Sequence, residues 1–152
     1  DDILIVSKKE KSVSSSAGHD LMNGNPFADI RYQQAHENMG KLLEAMHVGD
    51  LKTFGKIAEA EALMLHALMM TSDPSYILME GSSLEVIKQV QAWRKSTKKP
   101  LYFSLDAGPN LHLLYPDEIE AAVDAFIQND LIQFCEDGRY LKDQVGAGPQ
   151  KL

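Results

Sequence analysis

The sequence predicts an α+β fold, a mostly antiparallel sheet with helices packed on one face, and three observations lead there. Short apolar runs are scattered among segments of helical periodicity, without the regular strand–helix alternation of a parallel sheet. Two of those runs, Leu101 to Leu105 and Leu111 to Tyr115, are separated by five residues, a distance that suits an antiparallel hairpin. The chain has 152 residues, 44% of them hydrophobic, enough for a single domain over 1–152 that buries its own core.

Taken in order, Ile3 to Val6 is a continuous β-branched run and reads as a buried strand. Lys8 to Ser16 is polar and serine-rich. Between Asp29 and His47, Ile30, Ala35, Met39, Leu42, Leu43 and Met46 recur at steps that suit one face of an amphipathic helix ending near Gly49. Asp50 is placed to cap a second helix from Leu51 to about Met70. Pro74 ends that segment, and Tyr76 to Met79 reads as a strand. Ser82 and Glu85 have capping-box spacing for a helix through Val86, Val90 and Trp93 to the basic end Arg94-Lys95. After the hairpin, Pro116 with Asp117, Glu118 and Glu120 starts a helix to about Gln128, and Leu131 to Cys135 reads as a last strand. The glycine- and proline-containing tail, 146–152, is expected to be mobile. A strand that begins at the first residues, with no initiator Met before it, suggests a piece of a longer protein.

Composition narrows the function. The lone Cys135 excludes an internal disulfide and any multi-cysteine zinc site, and no metal site is expected in this chain. No apolar run approaches the ~20 residues of a bilayer span, so a soluble cytoplasmic protein without membrane contact is expected. A net charge of −7 argues against nucleic acid as a partner; basic residues cluster only at Lys8 to Lys11 and at Arg94 to Lys99.

Three features could carry chemistry. Ser14, Ser15, Ser16, Gly18 and His19 form a serine- and glycine-rich turn that suits an anion, and equally a solvated helix cap. Asp106 ends a hydrophobic strand beside Gly108, Pro109 and Asn110, where a carboxylate can be partly desolvated and serve as a base, or can simply start a tight turn. His66 sits among Met64, Leu65, Leu68 and Met69 and reads as a buried, hydrogen-bonded core histidine rather than a ligand. His36 and His47 are too far apart to share a metal, and His112 alternates with apolar neighbours and reads as facing solvent.

In sequence order these features resemble one family. Val13-Ser14-Ser15-Ser16-Ala17-Gly18-His19 resembles the Val-Ser-Ser-Thr-X-Gly-Met segment of mevalonate diphosphate decarboxylases. His66-Ala67 is similar to their Phe-His-Ala helix, and Phe103-Ser104-Leu105-Asp106-Ala107-Gly108-Pro109-Asn110 to their Tyr-Thr-Phe-Asp-Ala-Gly-Pro-Asn motif. The likeness spans roughly Ile3 to Phe134, the C-terminal half of such an enzyme within the superfamily of galactokinase, homoserine kinase, mevalonate kinase and phosphomevalonate kinase.

The resemblance implies a ferredoxin-like α+β core and an enzyme that uses ATP and Mg²⁺, bound mainly by an N-terminal domain absent from this chain. That enzyme phosphorylates the 3-hydroxyl of mevalonate 5-diphosphate; loss of phosphate and CO₂ then gives isopentenyl diphosphate. Asp106 falls on the family's catalytic aspartate, and Ser15 on the serine that contacts the diphosphate, with Ser14, Ser16 and Gly18 shaping the same turn. Partners so implied are mevalonate 5-diphosphate, the protein's own N-terminal domain and, in a homodimer, a second copy. The alternatives are a phosphomevalonate-type kinase and a non-catalytic binding or dimerisation module. Met64, Met69 and Met70 depart from the usual helix and suggest a divergent bacterial branch. His19, in place of the usual Met, adds a titratable group beside the anion turn. The expected result is a KM for the diphosphate substrate that falls as the pH drops below about 7, a dependence absent in His19→Met; a substitution that leaves the KM the same as the parent's throughout pH 6 to 8 would contradict it.

Overall fold

The computed structural model describes residues 1–9, 15–146 and 148, and of Ser15, Ala17 and His19 the backbone alone. Four strands, β1 (Asp2–Leu4), β2 (Tyr102–Ser104), β3 (Leu111–Leu114) and β4 (Tyr140–Lys142), form one sheet in the order β2-β3-β1-β4, antiparallel at every step. Among the described residues five α-helices accompany it: α1 (Ser15–Asp20), α2 (Ala28–Val48), α3 (Leu51–Met70), α4 (Gly81–Thr97) and α5 (Glu120–Phe126). The α+β expectation holds.

The two-residue alternation of a strand puts Leu111 and Leu113 on the core face and leaves His112 and Leu114 half-buried on the other. Register continues that face across the sheet, with Phe103 opposite Leu113 and Leu4 opposite Leu111. Val86, Ile87 and Val90 of α4 and Val123 and Phe126 of α5 close over these side chains. Trp93 stacks on Phe126 with ring centroids 5.2 Å apart, joining the two helices. Each such large side chain contributes about 1.5–3 kcal/mol through burial.

Helix α2 ends at Gly49, whose positive φ of 72° suits a residue without Cβ, and Asp50 then caps α3 by accepting from the Thr53 N–H at 3.0 Å. The joint is therefore short, and α2 packs beside α3. Arg31 and Asn38 of α2 both reach Glu61 of α3. The apolar stripe expected to bury α2 does so only in part: Ala35 and Leu42 are half-buried, whereas Ile30, Met39, Leu43 and Met46 are exposed. Helix α3 runs along the outer edge of β2, where the Tyr102 ring lies over Gly55.

Several expected elements differ. The strand at 131–135 is instead a widened helical turn followed by a 3-10 turn, because Ile127, Leu131 and Cys135 recur at four-residue steps and bury one helical side. Residues 75–80 form no strand; the Tyr76 N–H is tied back to the Met69 carbonyl at the end of α3, and the β2 edge is already covered by that helix. The reciprocal N-terminal pair of α4 is Glu80 with Ser83, two residues before the expected Ser82 with Glu85. β1 begins one residue earlier and ends two earlier than expected, and the three-residue β4 is too short to leave an alternation in the sequence. His112 is half-buried and its Nδ1 lies 3.1 Å from an Asp1 carboxylate oxygen. Of the tail expected to be mobile, residues 147 and 149–152 lie outside the described residues.

A Cβ on Gly55 would sit 2.1 Å from the Tyr102 ring, whereas one on Gly40 in α2 meets nothing within 4 Å. Gly55→Ala should therefore cost about 3 kcal/mol or more in urea unfolding. Gly40→Ala should stabilise by up to about 1 kcal/mol through helix propensity alone; similar effects at both sites would contradict this packing.

Candidate active site

The Asp-Ala-Gly-Pro-Asn segment follows β2 and connects it to β3. Leu105 is buried and anchors the start of the loop, while Asp106 is exposed rather than partly desolvated. The Asp106 carbonyl accepts the Gly108 N–H at 2.8 Å and lies 3.0 Å from His66 Nε2 on α3. The Pro109 carbonyl accepts the Ser83 hydroxyl of α4 at 2.7 Å, and that hydroxyl itself accepts the Glu80 N–H at 3.2 Å. The Asn110 Oδ1 accepts the Ser7 N–H at 3.0 Å, just beyond β1. Three separate elements thus fix one loop, and two of the fixing side chains, His66 at 1% and Ser83 at 0% exposure, are fully buried.

The histidine partner settles its own proton. A carbonyl only accepts, so Nε2 carries the hydrogen. Burial pushes the imidazole below its ordinary value of 6.5; the bond to the Asp106 carbonyl and the Asp106 charge oppose that shift without cancelling it. His66 is therefore the buried, hydrogen-bonded histidine that its apolar neighbours predict. What the sequence did not disclose is that its partner belongs to the Asp106 loop.

The serine turn is described in part. Ser14 lies outside the described residues, as do the side chains of Ser15 and His19; Ser15 and His19 are helical positions of α1, and Ser16 is exposed. Gly18 has a specific neighbour: a Cβ there would lie 2.9 Å from the Tyr76 hydroxyl. Because the Tyr76 N–H donates to the Met69 carbonyl at 3.2 Å, the C-terminal end of α3 anchors both candidate halves, Gly18 through Tyr76 and Asp106 through His66. Tyr76, Ser83 and Ser7 were not singled out by sequence reasoning; only the capping-box spacing near Ser83 hinted at one of them. Among the described residues no group of three or more His, Cys, Asp or Glu could hold a metal ion.

The family profile described as "Mevalonate 5-diphosphate decarboxylase C-terminal domain" matches residues 2–150. The chain belongs to the mevalonate 5-diphosphate decarboxylase C-terminal domain family. A phosphomevalonate decarboxylase of Haloferax volcanii is 26% identical over 106 residues, covering 66% of this chain and 33% of that protein. The solved mevalonate diphosphate decarboxylase of Legionella pneumophila superposes with a TM-score of 0.82 at 24% identity, over 92% of this chain and 44% of that one. The Enterococcus faecalis enzyme, solved to describe mevalonate diphosphate mediated ATP binding, matches with a TM-score of 0.74 at 23% identity, over 85% and 39%. This decarboxylase-family chain spans about a third of the length of the curated relatives it matches.

Because burial lowers the His66 pKa, the unfolded chain takes up the proton first as the pH falls. The stability that neutral His66 contributes is complete above pH 6.5 and is lost as the pH drops from 6.5 towards the lower folded value. His66→Gln keeps a donor near Nε2 and removes the titration, so its unfolding free energy should vary less with pH below 6.5. A variant retaining the parent slope would contradict this. His66→Leu, which removes the donor, should cost about 1–2 kcal/mol more than His66→Gln at pH 8.

Proposed function

We propose that this chain is the acceptor-holding half of an ATP-dependent mevalonate 5-diphosphate decarboxylase, with Asp106 as the base or orienting group for the substrate's 3-hydroxyl. A tertiary alcohol is a poor nucleophile, so the site must supply alignment and a place for the proton. In the proposed reaction the hydroxyl oxygen takes the γ-phosphoryl group of ATP, releasing ADP, and its proton passes to the Asp106 carboxylate; the C–O bond to the new phosphate and the C–C bond to the carboxylate then break together, giving phosphate, CO₂ and isopentenyl diphosphate. Ser14, Ser15 and Ser16 would hold the diphosphate, with Gly18 allowing close approach and His19 beside them. Gly108, Pro109 and Asn110 would shape the loop.

The observation that carries this reading is the clamped loop: Asp106 stands exposed on a main chain fixed by His66, Ser83 and the Asn110–Ser7 bond. A simple turn aspartate needs no such support; a carboxylate that must meet a hydroxyl within a few tenths of an ångström does. Magnesium does not fit the described residues, so Mg²⁺ and most of the ATP contacts are assigned to the protein's own N-terminal domain, and no step is drawn through the metal. No helix among the described residues is long and apolar enough to cross a membrane, in keeping with a cytoplasmic enzyme. A homodimer of the two-domain protein completes the proposed partners.

The Haloferax volcanii relative favours a second reading, in which the substrate carries one phosphate fewer. The two-domain protein decides between them when assayed for ADP and CO₂ with mevalonate 5-diphosphate and with mevalonate 5-phosphate. Equal ADP and CO₂ from the diphosphate is the expected result; ADP without CO₂ would make it a kinase. Asp106→Asn should lower turnover by about 10²–10⁴-fold with folding intact, and normal turnover in that variant would remove Asp106 from catalysis. Residues 1–152 alone should show no ATP-dependent CO₂ release.

A further inference from the structure

The basic cluster Arg94 to Lys99 has no part in the function proposed above. In the fold it faces a second cluster that the sequence keeps apart. A groove of about 930 Å³ runs between the first half of α3 and the last turn of α4, with Lys52 and Lys56 on one wall and Arg94, Lys95, Lys98 and Lys99 on the other. Arg94 is committed to Glu59. None of the five lysines has an ion-pair partner among the described residues. Among the lining residues, six cations against the carboxylate Glu59 leave five excess positive charges in a chain whose net charge is −7, so the residues outside the lining, with Asp50 beside Lys52 among them, sum to −12.

Helix stability explains only half of that arrangement. Cations at the end of α4 complement its dipole, whereas Lys52 and Lys56 occupy the first two turns of α3, where positive charge opposes the dipole. α3 has no acidic residue in its first turn and no basic residue in its last. The Asp50 cap is the acidic group at that end, and the lysines that oppose the dipole are those that face the α4 cluster. Five ammonium groups set around one concavity repel one another unless an anion joins them.

We propose that this groove binds a compact organic polyphosphate. Lysine ammonium groups on flexible stems suit phosphate as point charges, whereas a planar fork would suit carboxylates. The floor, formed by Leu51, Ala60, Leu63 and Pro100, offers an apolar surface to the organic part. The groove volume is that of a small-molecule site. An extended polyanion such as nucleic acid would also meet the surrounding surface of −12, whereas a compact one touches the groove alone. Lys52 and Lys56 precede His66 by 14 and 10 residues on α3, and Lys95 follows Ser83 by 12 on α4, roughly 15–21 Å at 1.5 Å per residue, so the charges of this site and the Asp106 site act independently.

The test uses this chain in low-salt buffer without divalent metal, titrated by calorimetry with inorganic triphosphate, a nucleoside triphosphate, a single-stranded oligonucleotide and an acidic peptide. Both triphosphates should bind at one site, the nucleoside form more tightly through its apolar contact, with affinity falling at least tenfold between about 50 and 300 mM salt. Lys56→Gln with Lys98→Gln should weaken binding at least tenfold. Lys9→Gln with Lys88→Gln, which removes the same charge outside the groove, should leave it unchanged. All four are exposed side chains, and circular dichroism confirms that each variant folds. Equal binding of inorganic and nucleoside triphosphate would assign the site to free polyphosphate and overturn the organic part of the proposal. No binding, equal weakening by both double variants, or tighter binding of the oligonucleotide or the peptide would overturn the site.

Discussion

The pairing of Glu59 with Arg94 joins the three elements on which the rest of the molecule depends. The two side chains meet through both carboxylate oxygens, at 2.6 and 2.9 Å, across α3 and α4. Each also reaches the outer edge of β2: Arg94 donates to the Leu101 carbonyl at 2.6 Å, and Glu59 accepts the Phe103 N–H at 3.3 Å. The pair thus does for an edge strand what another strand would do, satisfying an outward carbonyl and an outward N–H. Arg94 also lies 4.8 Å above the Tyr102 ring, whose other contact is Gly55. Partial burial strengthens the pair by keeping water from it, and the backbone groups use bonding capacity that the two side chains leave to each other.

The candidate active site inherits its position from this closure. β2 leads to Asp106, α3 carries His66 and the first turn of α4 carries Ser83, so locking the three together positions the groups that hold the loop. The division of labour within residue 106 follows. Its carbonyl is bonded to a buried imidazole and to the Gly108 N–H, while its side chain is left at the surface. A backbone so held gives a carboxylate a defined origin without burying its charge, which would cost far more than it returned. Helices α3 and α4 serve the loop with one end and line the basic groove with the other, so the acidic chain confines its excess positive charge to the end remote from Asp106.

Most helices and the hairpin were legible because local rules decide them. Asp50 caps α3 through a contact three residues away, and Gly49 ends α2 through its own backbone geometry. Asp106, Gly108, Pro109 and Asn110 were legible as a unit because the loop is one contiguous motif and the family likeness fell on it. Errors fell where a short apolar run fits either periodicity. Leu131 and Cys135 satisfy a strand in isolation, and only their burial with Ile127 along one helical side decides otherwise. Tyr76 to Met79 has the composition of a strand, but the β2 edge is already covered by α3, a fact that lies in α3 and not in the segment itself.

By itself, then, the sequence determined the α+β class, the extents of α2 and α3, and the identity of the Asp106 loop, because each follows from neighbours within a few residues. Tertiary structure alone decided that His66 bonds the Asp106 carbonyl 40 residues away, that Ser83 bonds Pro109, and that Lys52 and Lys56 face Lys95, Lys98 and Lys99. Those pairings join groups far apart in the chain. No periodicity records them, since the geometry that creates them is the crossing of α3 and α4 over one strand edge.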